Sequence, residues 1–473
     1  MRCRVFPALL ALLCLLSACR AHEESSESSA KLTNTPSAIP ADPVKEELAP
    51  AEEPVQYYIT DPEDVSHYIQ VSPTELGDGS RCWIVDPEDG SHYIKVSLKG
   101  PNENGDYDYV VWTGPELTQE KMDAVLTEIM EKYSAAAVSV AAIEDGEVTV
   151  SDAWGWAVKN KREMTAGTKV RVASLSKVVV GMSAMAMAED ELLVLDAPLS
   201  DYWGESIRNP YSSVQPSAYT LMTHTSSIAN RENQRGLANL RNVLRSSWRK
   251  MEPGNGRGWN YNNFGFCILG TTLELAADQI LDDYLQARFL EPMGIRASLY
   301  AGKLEEDEVA CLYNASGGIA RSAAAQTRQS VPADIGQGAS YYPGGLTISA
   351  LDLAKLVSVL INDGVYDGVR YLSPESVADM ETPRFTVDLK DAGSFEQCLV
   401  LRHQKDLMGR SDLYYHTGSA YGVYALLSYD PDSRDGVVVI TVGAPRRVDD
   451  RGLYALCAEV SERLYAEMEG ELS

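Results

Sequence analysis

The spacing of apolar positions changes several times along the chain, and each change marks a different kind of segment. Positions 5–16 form an unbroken apolar run behind Arg2 and Arg4. At ~1.5 Å per residue this run is too short to cross a bilayer core of ~30 Å. From 20 to 55 no period survives, and Ser, Glu, Ala and Pro dominate. Such a stretch buries too little apolar surface to offset the entropy of ordering it, so it reads as a disordered tether. Alternation then begins and is repeated: positions 58–72 carry Asp-Pro-Glu-Asp followed by Ser-His-Tyr-Ile, and so do positions 83–97. Aromatic and β-branched residues flank a turn-forming cluster, so each unit reads as strand, turn, strand. A third aromatic run, 107–112, is expected to add a strand. Hairpins are marginal alone, so positions 56–115 are expected to form a small β-repeat module that leans on a larger domain.

From 117 onward the period lengthens. Thr118 is placed to cap a helix reaching about 133, with Met122, Val125, Leu126, Ile129 and Met130 on one stripe. Two apolar runs, 138–143 and 148–150, flank Glu144-Asp145-Gly146-Glu147, a hairpin signal. Helical patterns follow from 174 to about 189, from 263 to about 287, and from 349 to 362. The end returns to strands at 421–428 and 436–442, separated by Asp430-Pro431-Asp432, and a last helix is expected from 449 to about 468. This order predicts an α+β fold: an antiparallel sheet built from both ends of the domain, flanked by helices on both faces, with a helical subdomain between.

The formal net charge of −27 argues against nucleic acid, or an anionic lipid surface, as a partner held by charge. Leu16-Ser17-Ala18-Cys19 resembles the bacterial lipobox. The resemblance implies that 1–19 is a lipoprotein signal peptide and that Cys19 carries lipid. Each buried methylene of such a lipid contributes roughly 0.8 kcal/mol, enough for a firm anchor. The expected location is extracytoplasmic, with the membrane touched only through that lipid; an ordinary export signal cut near Ala18 is the alternative. Past Cys19, Cys82, Cys267, Cys311, Cys398 and Cys457 are scattered, with no CxxC pair and no His at ligand spacing. They are expected to be buried thiols, and no metal or cofactor site is expected.

Candidate chemistry begins at Ser174-Leu175-Ser176-Lys177. Residues three apart on a helix share a face, so the Ser174 hydroxyl and the Lys177 amine can meet. A serine hydroxyl needs a neighbour to take its proton, and a lysine in a dry cleft can have its pKa lowered enough to help. Tyr261-Asn262-Asn263 enters an apolar helix, and His416-Thr417-Gly418-Ser419 follows Leu413-Tyr414-Tyr415, where a strand is expected.

In order and spacing these three motifs resemble the active-site triplet of the serine β-lactamase and penicillin-binding superfamily. The resemblance is to its class C β-lactamase and D-alanyl-D-alanine carboxypeptidase or esterase branch. Gly155-Trp156-Ala157, Leu221-Met222-Thr223-His224-Thr225-Ser226, Glu291-Pro292-Met293-Gly294-Ile295 and Pro343-Gly344-Gly345-Leu346 are similar to that family as well. The resemblance covers 117–473 and not the repeat module. It implies an acyl-enzyme on Ser174, with Lys177 and Tyr261 sharing proton transfer and Asn263 hydrogen-bonding both Lys177 and the substrate amide. His416, Thr417, Gly418 and Ser419 would line the substrate cleft, with the backbone N–H groups of Ser174 and Ser419 as oxyanion hole. The implied substrate is an amide or ester, a D-alanine-type peptide or a small ester.

Three departures stand out. His416 replaces the usual lysine, which weakens the fixed charge for a substrate carboxylate and makes β-lactam hydrolysis less expected. Ser227 stands where glycine is usual, and Asn262 where a small residue is usual. His224 is expected to organise a turn, and His67 and His92 to belong to the packing of the repeat. Arg402, His403 and the acidic run 305–308 read as solvated surface. Two other roles fit the same chain: a slow-turnover receptor for penicillin or wall peptide, and a surface adhesion or scaffold protein acting through the repeats.

Overall fold

The computed structural model describes residues 55–469, apart from 62–63, 77–80, 86, 88–92, 103–105, 112–116 and 391–392. The expected leader, Cys19 and most of the tether lie outside the described residues, as do the side chains of His67 and His92. The two repeats form two hairpins: β1 (Tyr57–Asp61) with β2 (Asp64–Val71), and β3 (Arg81–Val85) with β4 (Tyr93–Pro101). The aromatic run 107–112 supplies β5 (Tyr107–Val111), completing a five-stranded sheet of order β2-β1-β3-β4-β5. The repeats meet through equivalent residues, Tyr58 of the first opposite Trp83 of the second. Tyr57, Cys82, Ile84, Val96 and Leu98 make this sheet's own small core.

The large sheet starts with the expected hairpin, β6 (Ala137–Glu144) and β7 (Glu147–Val158), followed by β8 (Arg162–Glu163). Three short ladders come next. β9 (Val170–Arg171) pairs with β12 (Thr347–Ile348), β10 (Leu312–Tyr313) with β11 (Ile319–Arg321), and β13 (Val365–Tyr366) with β14 (Val369–Arg370). The C-terminal part then supplies β15 (Phe385–Asp388), β16 (Ser394–Gln397), β17 (Arg402–Leu407), β18 (Arg410–Ala420), β19 (Val423–Asp430) and β20 (Asp435–Val442). The nine strands run β15-β16-β17-β18-β19-β20-β6-β7-β8, so the sheet joins both ends of the domain, as the order of elements predicted.

Alternate residues of the central strands enter different cores, which is why 437–440 reads as an unbroken apolar run. Val138, Val140 and Ala142 of β6 join Val437 and Val439 under α1 (Gln119–Tyr133) and the C-terminal helix. Ala137, Ala141 and Ile143 join Val438, Ile440 and Val442 on the other face. That second core also holds α2 (Ser176–Glu189), α3 (Asn263–Ala277) and α4 (Ala350–Ile361); the C-terminal helix is α5 (Ala455–Glu469). Thr118 caps α1 as the sequence places it, accepting from the Lys121 N–H, and Asn262 and Ser349 cap α3 and α4 by accepting from the N–H groups of Gly265 and Asp352.

Several boundaries differ from expectation, each for a local reason. The helix expected from 174 begins at Ser176, after a 3₁₀ turn, Ala173–Leu175. The helix expected to reach 287 ends at Ala277, because Asp278 is left-handed at φ 48°, and the chain turns by 73° into the next helical segment. The last helix starts at Ala455 and not 449. The Asp449 carboxylate accepts from the N–H groups of Arg451 and Leu453 and holds that stretch as a turn. Strand β19 starts at Val423, since Tyr421 and Gly422 have φ of 54° and 81° and form the hairpin turn after β18. In the acidic run, 305–307 are exposed, whereas Glu308 pairs with Lys169 and Arg296.

Candidate active site

Ser174 sits half-buried in the 3₁₀ turn, directly after Ala173, whose φ of 51° is left-handed for a residue with a side chain. Such a conformation is held by its surroundings. Here the Ser176 hydroxyl donates to the Ala173 carbonyl at 2.6 Å and accepts the Leu346 N–H at 3.0 Å. The second serine of the motif therefore ties the turn that carries Ser174 to the segment before β12. One turn into α2, Lys177 is wholly buried; its Nζ donates to Ser174 Oγ at 3.0 Å and to the Pro343 carbonyl at 2.6 Å. The next residue back along that segment, Tyr342, bonds the Tyr300 hydroxyl at 3.0 Å and donates to the Glu274 carboxylate of α3.

Tyr261, just before α3, places its ring 5.0 Å from Lys177 Nζ, and Phe266 places its own at 5.3 Å. The Tyr261 ring lies 6.4 Å from that of His416 and 4.5 Å from that of His224. The three separated motifs thus converge. Asn263 is at the first position of α3, half-buried and without a side-chain hydrogen bond, so the expected Asn263–Lys177 bond is not formed. The Pro343 carbonyl takes that place beside the lysine. On β18, Thr417 is half-buried, Gly418 buried and Ser419 exposed. A Cβ on Gly418 would come within 2.4 Å of the Val172 carbonyl, so only glycine lets β18 pass this close to the turn that carries Ser174.

Electrostatics follow from burial and from clustered positive charge. Burial lowers the Lys177 amine below its ordinary value, although Tyr261 acts against this. Burial pushes the Tyr261 phenol up, but the charge and hydrogen bonding of Lys177, the Ser174 hydroxyl and the charge of Arg402 together leave it below 10. Burial, Arg402 and Lys177 hold His416 well below 6.5, and burial with Lys177 and Arg402 does the same to His224. Both imidazoles are therefore neutral near pH 7. His416 Nδ1 is 2.8 Å from the Thr417 carbonyl. A carbonyl only accepts, so Nδ1 carries the proton and Nε2 is left as an acceptor. His224, left-handed at φ 58°, accepts the Asn262 N–H on Nδ1 at 3.2 Å. It organises its turn as expected and also packs against Tyr261.

Arg402 and His403 are not solvated surface. Arg402, on β17 opposite Tyr415, has its guanidinium 6.0 Å from the Tyr261 ring centre and acts on both Tyr261 and His416. Its neighbour His403 points to the other face of the sheet and is buried there. Its Nδ1 lies 2.7 Å from Glu396, and its Nε2 faces Asp412, which links β16, β17 and β18. A signal for Arg402 existed only in the pairing of β17 with β18, which places it one strand from the His416 motif. The five cysteines are buried and unpaired. Burial raises Cys82 to about 11 and Cys267 and Cys457 to about 12. Among the described residues no group of three or more His, Cys, Asp or Glu is placed to hold a metal ion.

With this geometry in place, comparison with known proteins is decisive at the level of family. A family model described as Beta-lactamase matches residues 122–460, most of the chain. The chain belongs to the beta-lactamase family. Among curated members of comparable similarity, protein Rv1367c of Mycobacterium tuberculosis (strain ATCC 25618 / H37Rv) is 25% identical over 264 residues, which cover 48% of this chain and 62% of that one. The D-aminopeptidase of Brucella anthropi is 27% identical over 212 residues, 40% of this chain and 37% of that enzyme. The match thus spans less than two thirds of either relative. The octameric penicillin-binding protein homologue from Pyrococcus abyssi has a TM-score of 0.57 at 22% identity, covering 68% of this beta-lactamase-family chain and 73% of its own. The D-amino acid amidase from Ochrobactrum anthropi SV3 has 0.58 at 16%, covering 74% and 99%. These structures share the fold.

Proposed function

We propose that this protein is a serine hydrolase that forms an acyl-enzyme on Ser174 and releases it to water. The observation that carries this reading is the 3.0 Å bond between a fully buried Lys177 amine and the Ser174 hydroxyl, beside a phenol held below its ordinary pKa. In the first step the Ser174 proton passes to the Lys177–Tyr261 pair as Oγ bonds to the carbonyl carbon. The oxyanion is held by the backbone N–H groups of Ser174 and Ser419, donors worth roughly 3 kcal/mol each in comparable sites. Collapse breaks the C–N or C–O bond, and the Tyr261 phenol returns the proton to the leaving group. In the second step Tyr261 takes a proton from water, whose oxygen displaces Ser174.

The substrate class we favour is a D-alanine-type peptide or a small ester. The names D-aminopeptidase and D-amino acid amidase, carried by similar proteins, support it. Arg402 supports it from within: the lysine missing from the His416 motif leaves a need for positive charge, and Arg402 supplies one next to His416. Export and lipidation at Cys19 would place the enzyme outside the cytoplasm.

A fluorophosphonate probe tests the reading. Wild type should label at Ser174, Ser174→Ala should not, and a cleavable nitrophenyl ester should turn over with the same dependence. Labelling without turnover would favour the slow receptor, and labelling that survives Ser174→Ala would end the proposal.

A further inference from the structure

Beyond Ser419, the strand lining the cleft ends in a turn whose side chain is out of place for solvent alone. Tyr421 is 40% exposed, and its ring centre lies 5.2 Å from the guanidinium of Arg171 and 4.4 Å from that of Arg321. Arg171 belongs to β9, three residues before the nucleophile, and Arg321 to β11. Two like charges sharing one ring repel each other, and the arrangement holds because the aromatic face attracts both. Arg171 is fixed by donation from Nε to the Gly344 carbonyl at 2.6 Å and by a hydrogen bond to Tyr421, and among the described residues Arg321 bonds its neighbour's carbonyl, Ala320, at 2.9 Å. Among the described residues neither arginine has a carboxylate partner within ion-pair distance. Two guanidinium groups without a carboxylate partner thus meet at one partly exposed ring.

The position of this ledge relative to the chemistry follows from one short segment. Pro343 gives its carbonyl to Lys177, and Gly344, the next residue, gives its carbonyl to Arg171. Along β18 and its turn, His416 and Tyr421 are five steps apart, about 15 Å of extended chain. Arg402 and His416 stand at one end of this path, the Arg171–Tyr421–Arg321 ledge at the other, and Ser419 lies between.

We propose that Arg171, Tyr421 and Arg321 form a second anion subsite, which takes a carboxylate on the part of the substrate that extends from Ser174 away from Arg402. The planar guanidinium forks suit a carboxylate, and the shared tyrosine ring gathers both at one place where an anion can reach their edges. A substrate with anionic groups on both sides of the scissile bond is the class the cleft selects. This rests on the reading of Ser174 as the nucleophile, but the subsite can be measured apart from it.

The experiment uses mono-4-nitrophenyl esters of α,ω-dicarboxylic acids of four to eight carbons, each beside its neutral monoamide twin. Wild type should prefer the acids, and at the best chain length Arg321→Gln should lower kcat/KM about tenfold for the acid while leaving the twin unchanged. Arg321→Lys should restore part of the loss. Equal loss on both members of a pair, or no loss on either, would overturn the subsite. Calorimetry of suberate with the Ser174→Ala protein reads the ledge without chemistry. Binding that weakens about tenfold when Arg321→Gln is added supports the subsite even if no ester is hydrolysed. Absent binding, or binding indifferent to Arg321, overturns it, whereas failure of fluorophosphonate labelling bears on the hydrolase reading alone.

Discussion

Tyr261 depends on its positive neighbours for its acidity, and that dependence is open to test. Lys177 is the larger influence, but it is also part of the proton path, so Arg402 is the cleaner probe. Removing its charge lets burial push the phenol up. The rate of a hydrolase that needs the deprotonated Tyr261–Lys177 pair rises with pH, so the ascending limb of kcat/KM should move to higher pH in Arg402→Gln. A limb that stays in place or moves down would show that Arg402 does not act on the phenol. A second residue-scale prediction concerns Glu381, which accepts from the Tyr429 hydroxyl at 2.7 Å and whose carboxyl is raised by burial to about 7. Its folded value exceeds its unfolded one, near ~4.3. The stability it contributes is therefore complete below the unfolded value and is lost as pH rises through 7. Glu381→Gln should gain on the order of 3 kcal/mol at pH 8.5 and little at pH 4, read from denaturant midpoints at both. At this scale Ser174 and Lys177 were legible because three-residue spacing on a helix is local. Arg402 was not, because its relevance comes from a neighbouring strand.

Between the residues and the fold stands the segment 341–346, whose carbonyls receive Lys177 and Arg171. It is anchored from behind by the Tyr342 ring, which packs against α3 so closely that a Cβ on Gly270 would come within 2.0 Å of it. Gly270→Ala should therefore cost about 1–3 kcal/mol through overpacking. It should also slow acylation of Ser174 by displacing Pro343, a pairing that a melting curve and a labelling time course would reveal together. If the time course stayed normal at lowered stability, the segment would not be what positions the lysine. Apolar periodicity gave the existence of α1, α2, α3 and α4, and Thr118 gave the cap of α1. It did not give the break after Ala277, because Asp278 turns left-handed within a pattern that continues to look helical. Nor did it give β15–β17, whose mixed polar residues such as His403 and Gln404 become legible only once Glu396 and Asp412 lie beside them.

For the molecule as a whole, the candidate site residues all come from positions 171–421, and the five-stranded sheet of the repeats has a separate core with five buried apolar side chains among the described residues. Deleting residues 1–115 should leave fluorophosphonate labelling of Ser174 within about twofold of the full chain. Loss of labelling would mean that the repeats support the cleft. The apolar run 437–440 of β20 and the two-sided burial of β6 have a further consequence. Ile143 finds its partner in Gly436, with most of the polypeptide between them. Until the final strands leave the ribosome, β6 has an open row of main-chain donors and acceptors and two greasy faces. Distant closure of this kind is slow and invites mispairing. Registration of the central strands thus waits on the last hundred residues, whatever the first half of the domain has already built.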